Sequence, residues 1–541
     1  MDKSTKFVGL LLFIILVTGC TKKIPDIPNR NYIAQLELDS TILLISEVVD
    51  SLEVPWDIEE GPDNWLWFTE QKGTINRVHL RSGQKQVMWK IPDVYYRKST
   101  GLASMVLHPE FKKTPHLFVH YVYAQKDKDF NDIIASKIVR FTLAKDELVE
   151  PLVILDSIPG NTFHNGSRMM ITEDLILWIG TGDVGNNKQT QDINTLNGKV
   201  LRINLDGSLP ADNIQPNSAV WSVGHRNIQG ITEANEKVYI SEHGPLTDDE
   251  INIIQKGNNY GWPDVHGFCD LEPEKEFCKE HSIREPIYAW TPTLGTAGLA
   301  YYNYKQIPEW ENSLLLVTLK AQSIRVLKLD SNGGVKDEKI FLQKTFGRLR
   351  DVEVGSRGEI YVSNSNLDWH PGHQPWMYDS LPKRNGDKIL RIEVAPKSFV
   401  SSANKDETFM FLKENPEPFA LLDENWNRNA SDDEIMSGQK LYFTHCAACH
   451  RPDGKGNLGQ IPPMINSDWV SGDKSRLIDV MLLGLSKPIE VDGIIYEGEM
   501  PAYKNLSDTE IADILNYIRV EFGSSPGNII AADVLHQRKG L

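Results

Sequence analysis

A pair of short β-rich runs recurs six times between residues 45 and 395. The first run of each pair begins near residue 65, 116, 175, 237, 313 or 359, and these runs read WLWFT, HLFVHY, LILWI, KVYIS, SLLLVTL and EIYVS. The second runs read TINRV, KIVRFTL, KVLRI, EINII, SIRVLKL and KILRI. One such group of strands cannot bury its apolar face alone, so several groups must pack against one another. A repeat of this kind is typical of a propeller, in which the groups form a ring of blades. We therefore predict a mainly β fold, a six-bladed β-propeller, because a β-sandwich or a pair of barrels would leave the recurrence unexplained.

A region of helical character follows the repeats. Residues 396–430 are rich in charged residues, asparagine and proline without a sustained period, and we predict a linker there. The sequences SDDE from Ser431 and SDTE from Ser507 are capping boxes, and a run with helical periodicity follows each. These signals predict a small all-α domain over residues 431–522 and a C-terminal tail over residues 523–541.

The N-terminus has the pattern of an export signal. Two lysines precede an apolar run over residues 7–19, which is too short to span a bilayer as a mature helix. The run ends in VTGC, which resembles a bacterial lipobox, so we predict a lipoprotein signal peptide over residues 1–20, lipidation of Cys20 and a linker over residues 21–44. An uncleaved anchor or an ordinary secretory signal remains open. We expect a lipid-anchored protein on the periplasmic face of the cell envelope, in the outer membrane.

The net charge limits the classes of partner that the chain is expected to bind. The chain has 57 basic and 74 acidic residues, a net charge of −17, and such a surface repels phosphate backbones. We therefore expect no nucleic acid partner.

Cys269 and Cys278 lie nine residues apart and could form a disulfide in an oxidising compartment.

The helical region contains a C-x-x-C-H motif formed by Cys446, Cys449 and His450. This spacing matches covalent haem c attachment, in which the two cysteines form thioethers and the histidine is the proximal iron ligand. A zinc site would need two further ligands, and His445 is the one other candidate in this region. A thioredoxin-like pair would need a βαβ context, which the surrounding sequence lacks. The motif therefore predicts one haem c, which carries one electron at a time.

A downstream methionine should complete the iron coordination. The sequence GEMPAY offers Met500, and the domain resembles a class I cytochrome c, in which M-P-A supplies the distal methionine. Met464, in IPPMIN, is the alternative.

Several motifs of the repeat region together resemble one enzyme family. They are HNGSRMMI from residue 164, IGTGD from 179, WSVGHRNIQGI from 221, SEHGPLTDDEINIIQKGNNYGWP from 241, TLKAQSIRVLKLD from 318 and FGRLRDVEVGSRGEIYVS from 346. They resemble the glucose/sorbosone dehydrogenases, which include soluble quinoprotein glucose dehydrogenases and aldose sugar dehydrogenases. Those enzymes are six-bladed propellers that bind pyrroloquinoline quinone (PQQ) and calcium. The resemblance implies a PQQ sugar dehydrogenase domain over residues 45–395.

The resemblance also implies roles for individual residues. His164 matches the general base that takes the hydroxyl proton, and Asp183 matches the carboxylate that orients it. Arg226 and Asn227 match residues beside the reactive quinone carbonyl. Trp290 and Thr293 are expected to line the pocket, and the PQQ carboxylates are expected to pair with Lys320, Arg348 and Arg350. The backbone carbonyls of Gly244 and Pro245 match the calcium donors. Whether Asp248, Asp249 and Glu250 hold a structural ion or are ordinary turn acids stays open.

Four departures from the soluble glucose dehydrogenases leave the substrate open. His243 and Ser99 replace glutamines, Phe163 replaces an aspartate, and the segment between GWP and AWTPT is short. The preferred hypothesis is an aldose dehydrogenase that passes hydride to PQQ and then electrons to haem. The next acceptor would be a cytochrome, a quinone-linked complex or an oxidase. The alternatives are a PQQ dehydrogenase for a non-sugar alcohol and a non-enzymatic propeller that binds a ligand and carries an electron-relay cytochrome.

We expect Cys446 and Cys449 to hold the haem covalently. Denatured protein should keep a haem stain after extraction with acid and acetone, because thioethers survive unfolding. The double variant Cys446→Ala, Cys449→Ala should lose the stain. Met500→Ala should abolish the far-red sulfur-to-iron band, whereas loss of that band in Met464→Ala alone would assign the iron to the other methionine.

Overall fold

A computed structural model describes most of the chain. The described residues are 30–540 except 127–131, 246, 292, 374–380, 382–385, 397–398, 400–407, 416–431, 452–453, 458, 466, 492, 505 and 524–528. The predicted signal peptide with Cys20, and most of the predicted linker over residues 396–430, lie outside them. No helix in the described part of the chain has the length and apolar character needed to cross a bilayer.

Five sheets of four strands follow one another along the chain after two N-terminal strands, β1 (Tyr32–Glu37) and β2 (Ile42–Leu52). Blade 1 contains β3 (Pro55–Glu60), β4 (Trp65–Glu70), β5 (Thr74–His79) and β6 (Lys85–Lys90). Blade 2 contains β7 (Leu102–Leu107), β8 (His116–Lys126), β9 (Asp132–Ala144) and β10 (Glu147–Pro159). Blade 3 contains β11 (Gly166–Ile171), β12 (Ile176–Thr181), β13 (Lys199–Asn204) and β14 (Val220–Val223). Blade 4 contains β15 (Ile228–Ala234), β16 (Lys237–Glu242), β17 (Asp249–Ile254) and β18 (Tyr288–Trp290). Blade 5 contains β19 (Thr296–Tyr302), β20 (Ser313–Thr318), β21 (Ile324–Leu329) and β22 (Val335–Phe341).

The sixth sheet joins the two ends of the ring. It contains β23 (Leu349–Val354), β24 (Ile360–Asn364), β25 (Asp387–Val394) and β26 (Met410–Lys413), together with the N-terminal strands. β2 pairs antiparallel with β25, and β26 pairs parallel with β1. The six first strands of the blades contact one another in cyclic order, and β23 returns to β3. The predicted six-bladed propeller is confirmed, and each predicted pair of runs forms the two middle strands of its blade.

The predictions of linkers over residues 21–44 and 396–430 were wrong in part, because both segments contribute strands to blade 6. The segment 21–44 contains β1 and the start of β2, and the segment 396–430 contains β26. Unpaired backbone groups of β25 need hydrogen-bond partners, and the apolar side chains Ala34 and Leu36 of β1 are fully buried. The strands that complete blade 6 and close the ring therefore include residues that show too little periodicity in the sequence to be recognised as strands.

A buried ion cluster connects the first strands of several blades. Arg168 Nη1 of β11 lies 3.1 Å from Asp57 Oδ2 of β3 and 2.8 Å from Asp351 Oδ1 of β23. Arg168 Nε donates to the carbonyl of Gln229 in β15 at 3.0 Å. Ser104 of β7 donates its hydroxyl to Asp57 Oδ2 at 2.6 Å. Blades 1, 2, 3, 4 and 6 are thus joined directly by buried side chains.

The helical elements lie mainly after residue 431. The described helices are α1 (Glu272–Glu280), α2 (His370–His373), α3 (Asp432–His445), α4 (Ala447–His450), α5 (Asp468–Ser471), α6 (Lys474–Leu483), α7 (Asp508–Glu521) and α8 (Ala531–Gly540), with 3₁₀ turns at Pro62–Asn64 and Asn187–Gln191. A short hairpin of β27 (Ile489–Val491) and β28 (Ile494–Tyr496) lies between α6 and α7. The domain is therefore helical apart from this hairpin.

Helices α3 and α7 form the centre of the C-terminal domain. They approach closely at Gly438, where an added Cβ would lie 2.2 Å from the carbonyl oxygen of Asp513. The predicted tail was wrong in part, because residues 531–540 form α8. Val534 of α8 and the preceding Ile529 are buried in the same core, and Asn516 of α7 bonds both backbone groups of Ile529.

Closure of the ring by β2 can be tested with two isoleucines of that strand. Ile45 is fully buried in the core between blades 5 and 6, whereas Ile42 is 40% exposed. Ile45→Ala should lower the free energy of unfolding by about 2–5 kcal/mol through lost packing. Ile42→Ala should change it by about 0.5 kcal/mol or less. Urea unfolding followed by tryptophan fluorescence measures both, and equal losses in the two variants would contradict this assignment.

Candidate functional site

Loops of blade 3 bring His164 and Asp183 together. His164 precedes β11 and Asp183 follows β12, and His164 Nδ1 lies 2.9 Å from Asp183 Oδ1. The second carboxylate oxygen, Oδ2, accepts from the indole Nε1 of Trp262 at 3.0 Å. The carboxylate holds the proton of His164 on Nδ1, so Nε2 is left as a proton acceptor. The predicted base and its orienting carboxylate are therefore placed as a pair.

The backbone around His164 is tightly constrained. His164 has a φ of 52°, in the left-handed region. An added Cβ on Gly182 would lie 1.9 Å from the carbonyl oxygen of His164, so the glycine of the TGD motif permits this approach. Asn227 Oδ1 accepts from the backbone N–H of Gly166 at 3.1 Å. Asn227 thus fixes the loop that carries the histidine.

Burial sets the protonation state of two neighbouring histidines. Burial lowers the pKa of His164, although the hydrogen bond that His164 donates to Asp183 opposes this effect. Burial also lowers the pKa of His243 to about 3, and the charges of Arg226, His164 and Arg350 contribute in the same direction. Both imidazoles are therefore neutral at pH 7.

Arg226 lies beside the His164–Asp183 pair. Its Nη1 donates to the carbonyls of His243 at 3.0 Å and Gly244 at 2.8 Å. Its guanidinium carbon lies 5.1 Å from the centre of the Trp262 ring. The carbonyl of Arg226 accepts from the backbone N–H of Asp183 at 2.7 Å. The half-buried guanidinium of Arg226 is thereby fixed next to the base.

Three more predicted cations lie in blades 5 and 6, where Arg348 and Arg350 are buried and Lys320 is half-buried. Arg348 Nη2 and Arg350 Nη2 lie 2.7 and 2.9 Å from the same carboxylate oxygen of Asp368. Lys320 Nζ donates to Thr293 Oγ1 at 3.0 Å and forms no ion pair with a carboxylate among the described residues. Burial lowers the pKa of Lys320. These cationic side chains therefore suit an anionic ligand, because a cation held away from solvent is stabilised by a negatively charged partner.

Two other pocket predictions have different outcomes. Thr293 bonds Lys320, which places it beside the cation group. The Trp290 prediction was wrong, because its indole Nε1 donates to Glu338 at 3.1 Å and its ring packs in the core between blades 4 and 5. Strand β18 ends at Trp290, and its pairing with β17 directs the indole towards blade 5.

Gly244 and Pro245 line a small cavity together with Arg226, Glu242, Glu250 and Trp262. Asp249 accepts from the backbone N–H groups of Gly244, Leu294 and Thr296, so it organises loops. Among the described residues, no group of three or more histidine, cysteine, aspartate or glutamate side chains has the geometry of a metal site. Calcium coordination therefore stays a prediction that rests on carbonyl oxygens.

The C-x-x-C-H motif borders a second pocket, of about 570 Å³, in the C-terminal domain. Cys446, Cys449, His450 and Met500 all line it, together with His445, Leu485, Tyr496 and Tyr503. His450 Nδ1 donates to the carbonyl of Pro462 at 3.3 Å, which leaves Nε2 available to a metal. Met464 instead packs in the helical core. Met500 is therefore the better placed of the two methionines.

Sequence reasoning missed several residues that position the site. Trp262 belongs to the motif GNNYGWP, but nothing in that motif indicates that its indole bonds Asp183. Asp368 follows β24 and carries no recognisable motif, yet it holds Arg348 and Arg350. The open possibility of a disulfide is resolved, since Cys269 and Cys278 are bonded.

Comparisons with known proteins divide the chain in the same way. The model of the family described as Glucose / Sorbosone dehydrogenase matches residues 52–369, and that of Cytochrome c matches residues 435–520. Quinoprotein glucose dehydrogenase B of Acinetobacter calcoaceticus is 28% identical over 439 residues, which cover 65% of this chain and 91% of that protein. Cytochrome c-552 of Thermus thermophilus is 38% identical over 92 residues, which cover 16% of this chain and 70% of that protein.

A solved structure supports the same division. The PQQ-bound form of aldose sugar dehydrogenase from Streptomyces coelicolor superimposes with a TM-score of 0.56 at 26% identity. The match covers 65% of this chain and 98% of that chain. The remainder of the present chain carries the C-x-x-C-H motif.

Proposed function

Because the chain belongs to the glucose/sorbosone dehydrogenase family and continues into a cytochrome c domain, we propose that it is a quinohaemoprotein that oxidises an aldose at C1 to the lactone. The observation that carries this proposal is the His164–Asp183 pair, beside which the guanidinium of Arg226 is fixed. A proton acceptor next to an anion-binding site is what oxidation of an alcohol by an anionic quinone requires.

The buried cations fit PQQ, which carries three carboxylates. Lys320, Arg348 and Arg350 would pair with these groups, and the guanidinium forks suit carboxylate geometry. Asp368 holds both arginines in place from the other side. A cofactor carboxylate would give Lys320 a directly bonded anionic partner, whereas among the described carboxylates Asp249 acts on it only from beyond ion-pair distance.

The protein's own groups supply the proton chemistry. His164 Nε2 accepts the proton of the substrate hydroxyl, while Asp183 stabilises the imidazolium that forms and keeps its ring in place. PQQ, when bound, accepts the hydride from the carbon. Arg226 stabilises negative charge that develops near it, because its guanidinium is already fixed and needs no reorganisation. Trp262 supports both Asp183 and Arg226.

Calcium and haem complete the proposed cofactor set. The carbonyl oxygens of Gly244 and Pro245 are the hard donors that calcium prefers, and the ion would act there as a Lewis acid. In the cytochrome c domain, Cys446 and Cys449 would hold one haem covalently, with His450 and Met500 as iron ligands. We further propose export, a lipid anchor on Cys20, a periplasmic location in the outer membrane, and a cytochrome, quinone-linked complex or oxidase as the next acceptor.

A non-sugar alcohol is the second candidate substrate. Phe163, which replaces the aspartate found in the soluble glucose dehydrogenases, is 37% exposed and its ring lies 5.0 Å from that of His164. An apolar ring at this position favours a less polar substrate than glucose. A screen of aldoses against simple alcohols, with haem reduction as the signal, decides between the two.

Lys320 provides a test of the cofactor pocket. Lys320→Ala should weaken PQQ binding by about 2–5 kcal/mol, because it leaves a buried cofactor carboxylate unpaired. Lys336→Ala is the matched control, since Lys336 is an exposed lysine of β22 in the same blade. Titration of the PQQ-free protein with PQQ, followed by intrinsic fluorescence, measures the affinity. Equal affinity in wild type and Lys320→Ala would contradict the pocket assignment.

His164 provides a test of the reaction. His164→Ala should slow substrate-driven haem reduction by about 10² to 10⁴, while PQQ affinity and the haem spectrum stay unchanged. In wild type the acid limb of kcat/KM should lie below pH 6.5, because burial lowers the pKa of His164 and keeps its neutral form at lower pH. Stopped-flow absorbance at the haem band measures both. Binding of a sugar without any oxidation would instead favour the non-enzymatic binding module.

A further inference from the structure

A buried lysine of the cytochrome c domain contacts the propeller next to the proposed active site. Lys440 of α3 is only 7% exposed, and its Nζ lies 2.6 Å from Asp270 Oδ1, 3.6 Å from Asp248 Oδ2 and 3.6 Å from Glu274 Oε2. It also donates to the carbonyl of His266 at 3.2 Å. One ammonium group therefore meets three carboxylates and a carbonyl of blade 4.

Three of these four propeller groups belong to residues 264–281, which we call the docking loop. The disulfide between Cys269 and Cys278 closes the loop, and α1 lies within it. Glu274 accepts from the backbone N–H groups of His266 and Leu271, so the loop is also held internally. Leu271 packs against the hydrophobic core of the cytochrome c domain. The loop is thus a preformed surface with an acidic pocket and an apolar contact.

The docking loop connects the two functional regions. On the propeller side, the His266 ring stacks on Trp262 with centroids 5.0 Å apart, and Trp262 bonds Asp183. On the other side, Lys440 lies on the helix that ends at His445, which lines the pocket of the C-x-x-C-H motif. A few side chains therefore separate the proposed site of sugar oxidation from the proposed haem.

Charge makes the contact specific. Burial raises the pKa of Glu274 to about 7. Burial alone would lower the pKa of Lys440, but Asp248 and Glu274 raise it. Removal of the lysine would leave buried acidic groups without their cation, which is costly for either domain.

We propose that the docking loop and Lys440 form a built-in interface that holds the cytochrome c domain against the sugar-oxidising face, so that electrons pass within one chain. This proposal rests on the proposed function. It adds to the covalent connection through residues 396–430 a fixed contact between the two domains. Oxidation of one alcohol to a carbonyl releases two electrons and two protons. The electrons cross one at a time to ferric haem, an external one-electron acceptor such as ferricyanide reoxidises the haem between them, and the protons pass to solvent.

The charge-reversal variant Lys440→Glu tests the interface in the full-length protein, with Lys539→Glu as control because Lys539 is exposed on α8 of the same domain. Small-angle X-ray scattering should show a larger maximum dimension for Lys440→Glu alone. In wild type, a zero-length carbodiimide should join Lys440 to Asp270, as detected by mass spectrometry of the linked peptides. Neither readout needs PQQ or a substrate.

Electron transfer gives the second readout. Substrate-driven haem reduction should fall at least about tenfold in Lys440→Glu, while reduction of an added dye by the propeller and the haem spectrum stay as in wild type. Lys440→Arg should restore the rate.

Should Lys440→Glu fail to fold, Asp270→Asn replaces it, since Asp270 is 54% exposed. Wild-type scattering and haem reduction in the substituted protein would overturn the proposal. If wild type reduces neither dye nor haem with any alcohol, the proposed function fails, and the scattering and cross-link still decide the interface.

Discussion

The guanidinium of Arg168 at the centre of the ring is the interaction on which the rest of the propeller depends. Most backbone hydrogen bonds run within a blade, so buried side chains make much of the contact that joins one blade to the next. Arg168 contacts carboxylates from blades 1 and 6 and a carbonyl from blade 4, and it lies on the strand that follows His164. The predicted base is therefore anchored to the one place where most blades meet. A buried charge of this kind holds its geometry because loss of any partner would leave the others uncompensated.

Much of the fold could be predicted from sequence because the middle strands of every blade are apolar and regularly spaced. The strands that close blade 6 could not, since Met410–Lys413 is short, half exposed and dependent on a partner strand from the other end of the chain. Helix α8 was missed for a similar reason: it lacks a clear apolar stripe and relies on Ile529 and Val534 alone for burial. Local patterns reveal elements that are stable by their own amphipathic character, but they do not reveal elements that exist only through tertiary pairing.

The candidate site shows the same limit at the level of single residues. His164, Asp183 and the cations could be identified because they stand in family motifs. Trp290 stands in such a motif too, yet its indole bonds Glu338 in the core, because strand pairing decides which way a side chain points. Asp368 and Lys440 could not be found from the sequence, since each acts on residues distant in the chain and neither belongs to a recognisable pattern.

The strand pairing in blade 6 also determines the order in which parts of the chain can fold. β2 is made almost first, but its partner β25 is reached only after more than three hundred further residues have been synthesised, since Ile45 pairs with Ile392. Until then, an apolar strand with unsatisfied backbone groups waits at an open edge, where it is exposed to pairing with other chains. Closure of so long a loop is entropically slow. The propeller therefore completes its fold late, and the unfinished ring is more exposed to aggregation than the finished one.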